Sequence, residues 1–164
     1  MTRLQVPPTL ERYTIPREVV TATAAFLELR GRSGLEGTVL WLGEVDTETK
    51  ATVTKPYVPE QVAYRSAQGL AVEVTRRGLS ELIESLPMGV FVLARVHSHG
   101  EHAYHSETDD QNMIVSHEGA ISIVVPYFAR HGLDLMECSV NELRRGRGWS
   151  QLTPEDVKRR FEIR

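Results

Sequence analysis

His97-Ser98-His99, followed by Ser106 and Asp109, are the residues of this chain best suited to do chemistry. The stretch Val96–Asp110 carries four of the six histidines and comes one residue after the apolar run Val90-Phe91-Val92-Leu93-Ala94. In an extended strand, residues i and i+2 point to the same side, so His97 and His99 can meet one ion while Ser98 faces away. Two imidazoles and a carboxylate suit Zn²⁺, and a site with three protein ligands keeps its fourth position for water, the catalytic arrangement. A lone His-x-His is most often a pair of surface side chains. His-x-His followed after six residues by Ser-x-x-Asp is much harder to reach by chance, and it reads as a zinc hydrolase site. His102 and His105 read as loop or substrate-facing residues, and His117 and His131 carry no signal.

Such a site also needs a group that takes a proton from water and hands it to the leaving amine. No HExxH helix is present. Glu36, in Gly34-Leu35-Glu36-Gly37, stands immediately before the most apolar strand of the chain, an awkward place for a charge unless it is used. By position alone, a loop residue pointing to solvent is the ordinary reading.

The elements that must position these residues follow from periodicity. Val20, Ala24 and Leu27, beside Val19, Phe26 and Leu29, predict an amphipathic helix from Arg17 to about Leu29, stopped by Gly31, Ser33 and Gly34. Thr38–Gly43 reads as a central strand, turning at Asp46–Thr49 into a second strand over Lys50–Tyr57. Leu70, Val74, Leu79, Leu82, Ile83 and Leu86 predict a helix over Gln68–Leu86, broken by Pro87 and Gly89 before the strand that delivers His97. Ser106 is a candidate N-cap for a helix running through Met113 and Val115, with Glu107, Asp109 and Asp110 in its first turn, which gives these acids a structural alternative to metal binding. Ala120–Val125 and Leu133–Val140 read as strands, and Thr153-Pro154-Glu155-Asp156 as a helix start. Helices flanking a sheet of mixed strands define an α/β or α+β class.

Composition narrows the functional classes. A chain of 164 residues, 41% hydrophobic and 25% charged, reads as one domain with a real core. A net charge of −3 makes no case for nucleic acid or an anionic membrane as partner. Cys138 is the single cysteine, which excludes an internal disulfide, and it reads as a small core residue of a strand. No apolar run approaches ~20 residues, and Met1–Pro8 lacks the apolar segment of a signal peptide, so a cytoplasmic location is expected.

Leu35-Glu36-Gly37-Thr38-Val39-Leu40-Trp41-Leu42-Gly43, then His97-Ser98-His99 and Ser106-Glu107-Thr108-Asp109, resemble the JAMM (MPN⁺) metalloproteases in their compact bacterial form, over roughly residues 15 to 140. The resemblance implies a mixed, curved β-sheet flanked by helices, JAMM/cytidine-deaminase-like, in a single domain 1–164 with a C-terminal strand and helix extension over 141–164. It implies one Zn²⁺ per chain held by His97, His99 and Asp109, with Glu36 as general acid/base and Ser106 as the hydroxyl that helps hold the tetrahedral oxyanion. Two departures stand out. Gly100 occupies a place where the family usually has Pro, and six residues, Gly100–His105, separate the second His from the Ser where seven are usual. Were the missing residue to lie after Ser106, Asp110 would become the ligand and Ser106 would be displaced; Asp109 keeps the Ser-x-x-Asp turn intact and is preferred.

Family members hydrolyse the amide bond after the C-terminal glycine of ubiquitin or ubiquitin-like proteins. The resemblance therefore implies a ubiquitin-like substrate or its conjugates, with E1-like and E2-like proteins as further expected partners, in a bacterial conjugation or antiviral defence system. Alternatives of the same resemblance are a peptidase maturing a sulfur-carrier protein and a non-catalytic MPN scaffold, although scaffolds generally lack a metal ligand. The stretches Val58–Ser66 and Gly100–His105 are the candidates for lining a groove that holds the substrate tail. No nucleic-acid or membrane partner is expected.

Overall fold

The computed structural model describes residues 6–67, 69–104, 114 and 117–164. Its centre is β2 (Thr38–Thr47), which pairs antiparallel with β3 (Lys50–Tyr57) on one side and with β6 (Val90–Ser98) on the other. Beyond β6 come β7 (Ile121–Val125), parallel to it, then β8 (Ser139–Arg144) and β9 (Gly148–Gln151), both antiparallel. Beyond β3 come β1 (Arg12–Ile15) and β10 (Phe161–Ile163), each joined in parallel. The result is a mixed eight-stranded sheet of order β10-β1-β3-β2-β6-β7-β8-β9. A separate hairpin, β4 (Gln61–Ser66) and β5 (Gly69–Val74), projects between β3 and the second helix.

The first part of β2 is apolar on both faces because both are covered. Val39 and Trp41 join Val19, Val20 and Leu27 of α1 (Arg17–Gly31) in the larger core. Leu40 and Leu42 join Leu82 and Leu86, from α2 (Arg76–Ser85) and its C-cap, in the smaller one. A strand with two buried faces loses the polar alternation of a half-exposed one. Trp41 is locked in place as well as buried: its indole N–H donates to Thr23 Oγ1 at 2.9 Å, and that hydroxyl donates to the Val19 carbonyl at 2.7 Å. Gly43 lies at a break in the register with β3, where a Cβ would overlap the Thr52 carbonyl. Only glycine lets the two backbones approach this closely.

Two expectations from periodicity need correction. Within the predicted helix Gln68–Leu86, Gly69–Val74 is a strand and the helix begins only at Arg76; Gln68 lies outside the described residues. Leu70-Ala71-Val72-Glu73-Val74 pairs with β4, and Thr75 caps the helix by accepting from the Gly78 amide at 3.0 Å. Leu70 and Val74 happen to fall on the helical spacing of Leu79 and Leu82, which is how a β-branched run was absorbed into a helix. The predicted strand Leu133–Val140 begins only at Ser139. Cys138 precedes it in a turn, its thiol donating to the Asp134 carbonyl at 3.1 Å. The segment before Pro16 contains β1, four residues too short to carry a period.

The C-terminal residues form integral parts of the main sheet. Thr153 caps α3 (Pro154–Arg160), accepting from the Asp156 amide at 3.2 Å, and the helix ends where Phe161 enters β10. Arg160 reaches back from that helix to Glu142 of β8 with bonds of 2.9 and 3.1 Å, and gives further N–H bonds to the Leu10 and Glu11 carbonyls.

Candidate active site

His97 is the penultimate residue of β6 and His99 follows directly after its end, at the middle of the sheet, where neighbouring strands flank the backbone. His97 is opposite Thr38 of β2 and Val124 of β7, and the His99 amide donates to the Val125 carbonyl at 2.9 Å. Ser98 turns to the other face, as alternation requires, and its hydroxyl accepts from the Gly37 amide at 3.1 Å while its own amide donates to the Gly37 carbonyl at 3.0 Å. The two imidazoles meet edge to face with centroids 5.1 Å apart and are only 2% and 6% exposed. Tyr104 packs on the outer face of His99, centroids 4.7 Å apart.

The same pairing brings the segment of Glu36 towards the end of β6. Thr38 is opposite His97 and Gly37 bonds Ser98, so Glu36, two residues before Thr38, lies where the chain enters the strand paired with the histidine strand. Its backbone carbonyl is gripped by Arg30 Nε and Nη2, both at 3.3 Å, from the last turn of α1. Glu36 is 8% exposed, so the reading as a solvent-facing loop residue is excluded. Glutamates are rarely buried to this degree without a use or a partner.

Two imidazoles bound to one zinc at about 2.0–2.1 Å in tetrahedral geometry have ring centroids about 5 Å apart. The observed 5.1 Å matches that requirement. Two imidazoles on one face of a strand are donors that fit Zn²⁺. Among the described residues, no third His, Cys, Asp or Glu completes a metal-binding group with these two. Asp109, expected as the third ligand, its rival Asp110, the oxyanion candidate Ser106 and the helix that Ser106 was to cap all lie outside the described residues.

Two features were missed in the sequence. Arg95, two residues before His97 and on its face of β6, is buried and donates to Ser122 Oγ on β7 at 3.1 Å. A single arginine within an otherwise apolar strand was the available signal. The second is the turn after β7: Tyr127, Phe128 and Ala129 have φ of 54°, 55° and 57°. Three consecutive left-handed residues with side chains cost about 1–2 kcal/mol each, and nothing in the composition of Pro126-Tyr127-Phe128-Ala129 announces it.

Just after His99 in the chain, Gly100 and Glu101 line a pocket of about 460 Å³ with Gly34, the hairpin tip at Arg65, Ser66 and Leu70, and Phe128. Of the stretches expected to line a groove, Arg65 and Ser66 represent the first and Gly100 and Glu101 the second; most of Val58–Ser66 is instead β4. Gln61 of that strand bonds the Thr38 backbone on both sides, accepting from its amide at 2.7 Å and donating to its carbonyl at 2.9 Å. The hairpin is thereby tied to the strand that leads from Glu36.

The chain is 31% identical over 150 residues to the probable metalloprotease y4jG of Sinorhizobium fredii (strain NBRC 101917 / NGR234), spanning 91% of this chain and 92% of that protein. It belongs to that family of probable metalloproteases, and the family implies peptidase activity and a metal cofactor. No protein-family model matches the chain. In fold it is similar to protein DSY2949 from Desulfitobacterium hafniense, with a TM-score of 0.58 at 12% identity over 93% of this chain and 92% of the other. A protein from Salinibacter ruber (strain DSM 13855) is similar with a TM-score of 0.52 at 14% identity, over 85% of this chain and 88% of the other. The mixed α+β architecture expected from the sequence is the one observed. Among the described residues no helix is long and apolar enough to cross a membrane.

Proposed function

We propose that this metalloprotease is a zinc isopeptidase of the JAMM type, hydrolysing the amide bond after the C-terminal glycine of a ubiquitin-like protein. One observation carries the reading: a buried imidazole pair at zinc-binding separation, with the buried Glu36 two residues before Thr38, the strand partner of His97. His97 and His99 would hold the metal, with Asp109 as third ligand. Bound there, zinc supplies Lewis acidity, which polarises the scissile carbonyl and makes water a nucleophile near neutral pH.

The chain's own residues do the rest. The Glu36 carboxylate takes the water proton and delivers it to the departing nitrogen, a role typically worth ~10²–10⁴ in rate. The Ser106 hydroxyl donates a hydrogen bond to the developing oxyanion, about 3 kcal/mol for one well-placed donor. The pocket between the hairpin tip and Gly100 admits an extended chain, which gains backbone hydrogen bonds from a strand edge without large side chains. A tail ending in glycine suits that path, with the globular body of a ubiquitin-like protein outside it and E1-like and E2-like proteins as companions in conjugation.

The test uses the zinc-loaded protein and a ubiquitin-like protein extended by a short peptide beyond its terminal glycine. Cleavage at the glycine, abolished by a chelator and by replacing that glycine with phenylalanine, and absent on casein, is the expected result. Equal cleavage of the phenylalanine version or of casein would leave a general metallopeptidase instead.

A further inference from the structure

The left-handed turn Tyr127–Ala129 is not required to end β7, since ordinary turns do so without strain. Strained backbone persists where its surroundings over-determine it, and here they do so from two sides. On one side, the Tyr127 amide donates to the Glu101 carbonyl and the Phe128 amide to the His99 carbonyl, both at 2.8 Å. The turn thus clamps the chain just as it leaves the histidine strand.

On the other side, the Phe128 ring is wedged between two glycines. A Cβ at Gly31 would overlap Phe128 Cβ, and a Cβ at Gly100 would stand 2.8 Å from Phe128 Cζ. Gly31 ends α1, directly after the arginine that grips the Glu36 carbonyl; Gly100 follows His99. The ring therefore stands between the segment that carries Glu36 and the segment that carries His99. It also gives a steric account of the departure at Gly100: a proline ring there would occupy space the phenyl ring already fills.

We propose that Phe128 is a positioning residue for the metal centre: locked between Gly31 and Gly100 by the left-handed turn, it sets the His99 backbone against the Glu36 segment. This rests on the reading of His97 and His99 as zinc ligands. No contact of Phe128 with the metal is involved; it acts through the placement of His99, as residues behind metal ligands do, where substitution typically costs 10- to 100-fold in affinity.

The experiment is a zinc titration of metal-free protein against a chromophoric chelator, with circular dichroism and thermal melts recorded in parallel. Phe128→Ala is expected to keep the β-sheet spectrum and to weaken zinc binding about tenfold, with an altered absorption band in the cobalt-substituted protein. Gly100→Ala, whose new methyl meets the ring, is expected to weaken it similarly. The double variant is expected to bind no worse than either single one, because the methyl enters the space the ring vacated. Phe128→Leu should recover part of the loss. A merely structural role would lower the melting temperature of Phe128→Ala and leave zinc affinity and the cobalt spectrum unchanged, and that result overturns the proposal, as do additive losses in the double variant. Should Phe128→Ala fail to fold, Phe128→Leu is judged by the same affinity criterion. Failure of the unaltered protein to bind zinc would overturn both this proposal and the metal reading beneath it.

Discussion

Two regions of this molecule bury charged or polar side chains, and they do so to opposite ends. At the C-terminal side, Arg160 and Glu142 are 5% and 2% exposed. Glu142 receives two bonds from Arg160 and a third from Arg144 at 2.6 Å, while Arg160 gives two further N–H bonds to the Leu10 and Glu11 carbonyls. Around it, Tyr13 and Phe161 stack with centroids 5.0 Å apart. This network fastens three parts of the chain that are far apart in sequence: the N-terminal segment, β8 and α3. At the His97–His99 end the two imidazoles share one face of a strand, and the residue after them, Gly100, lines an open pocket next to a strained turn. The first arrangement uses buried charge for cohesion. The second buries imidazoles and, in the proposed function, keeps them for a metal, at some expense of backbone comfort.

Variants at the two ends should therefore separate stability from activity. Glu36→Gln should lower amide hydrolysis by ~10²–10⁴ while zinc content and the unfolding midpoint stay near those of the unaltered protein. Retained turnover, or loss of zinc, would remove Glu36 from the acid/base role. Arg160→Met should do the reverse. Removing one partner of a buried pair typically costs about 3–5 kcal/mol, and the lower part of that range applies here because Arg144 still faces Glu142. Denaturant unfolding should show that loss, with zinc affinity per folded molecule unchanged; a fall in zinc affinity at full stability would mean that the two ends are coupled.

The smallest effect concerns pH. Burial pushes the Cys138 thiol up to about 12 and the Tyr13 hydroxyl up to about 12. Both groups are held neutral in the fold, so their contribution is present below their ordinary values and is lost as pH rises through the folded ones. Stability should decline between about pH 9 and 12, more gently in Cys138→Ala. At pH 8 iodoacetamide should leave Cys138 unmodified and activity intact, because the thiol is not ionised. Rapid alkylation with loss of activity would instead give Cys138 a place in the chemistry.

Legibility in the sequence was greatest where local pattern and burial agree. The helix from Arg17, the strands at Thr38, Lys50, Val90 and Ala120, and the capped helix at Thr153 all come from periods or caps that tertiary contacts reinforce. It failed where the period was short or shared. The hairpin β4–β5 was merged with α2 because Leu70 and Val74 fit both a strand and a helical spacing, and pairing with Gln61–Ser66 decides between them. Strands β1, β9 and β10 have three or four residues each and exist by virtue of their neighbours.

For the site, residue types and spacing by themselves determined that His97 and His99 share a face and that a carboxylate was needed nearby, since alternation along a strand and ligand preference are local properties. The approach of the Glu36 segment to that strand is a different matter. Sixty residues of chain separate Glu36 from His97, and only the antiparallel pairing of β2 with β6 brings Thr38, two residues after Glu36, opposite His97. The Phe128 wedge belongs wholly to the tertiary structure, because its three left-handed residues are unfavourable in isolation and are held by hydrogen bonds and glycine gaps contributed by the segment His99–Glu101 after β6 and by α1.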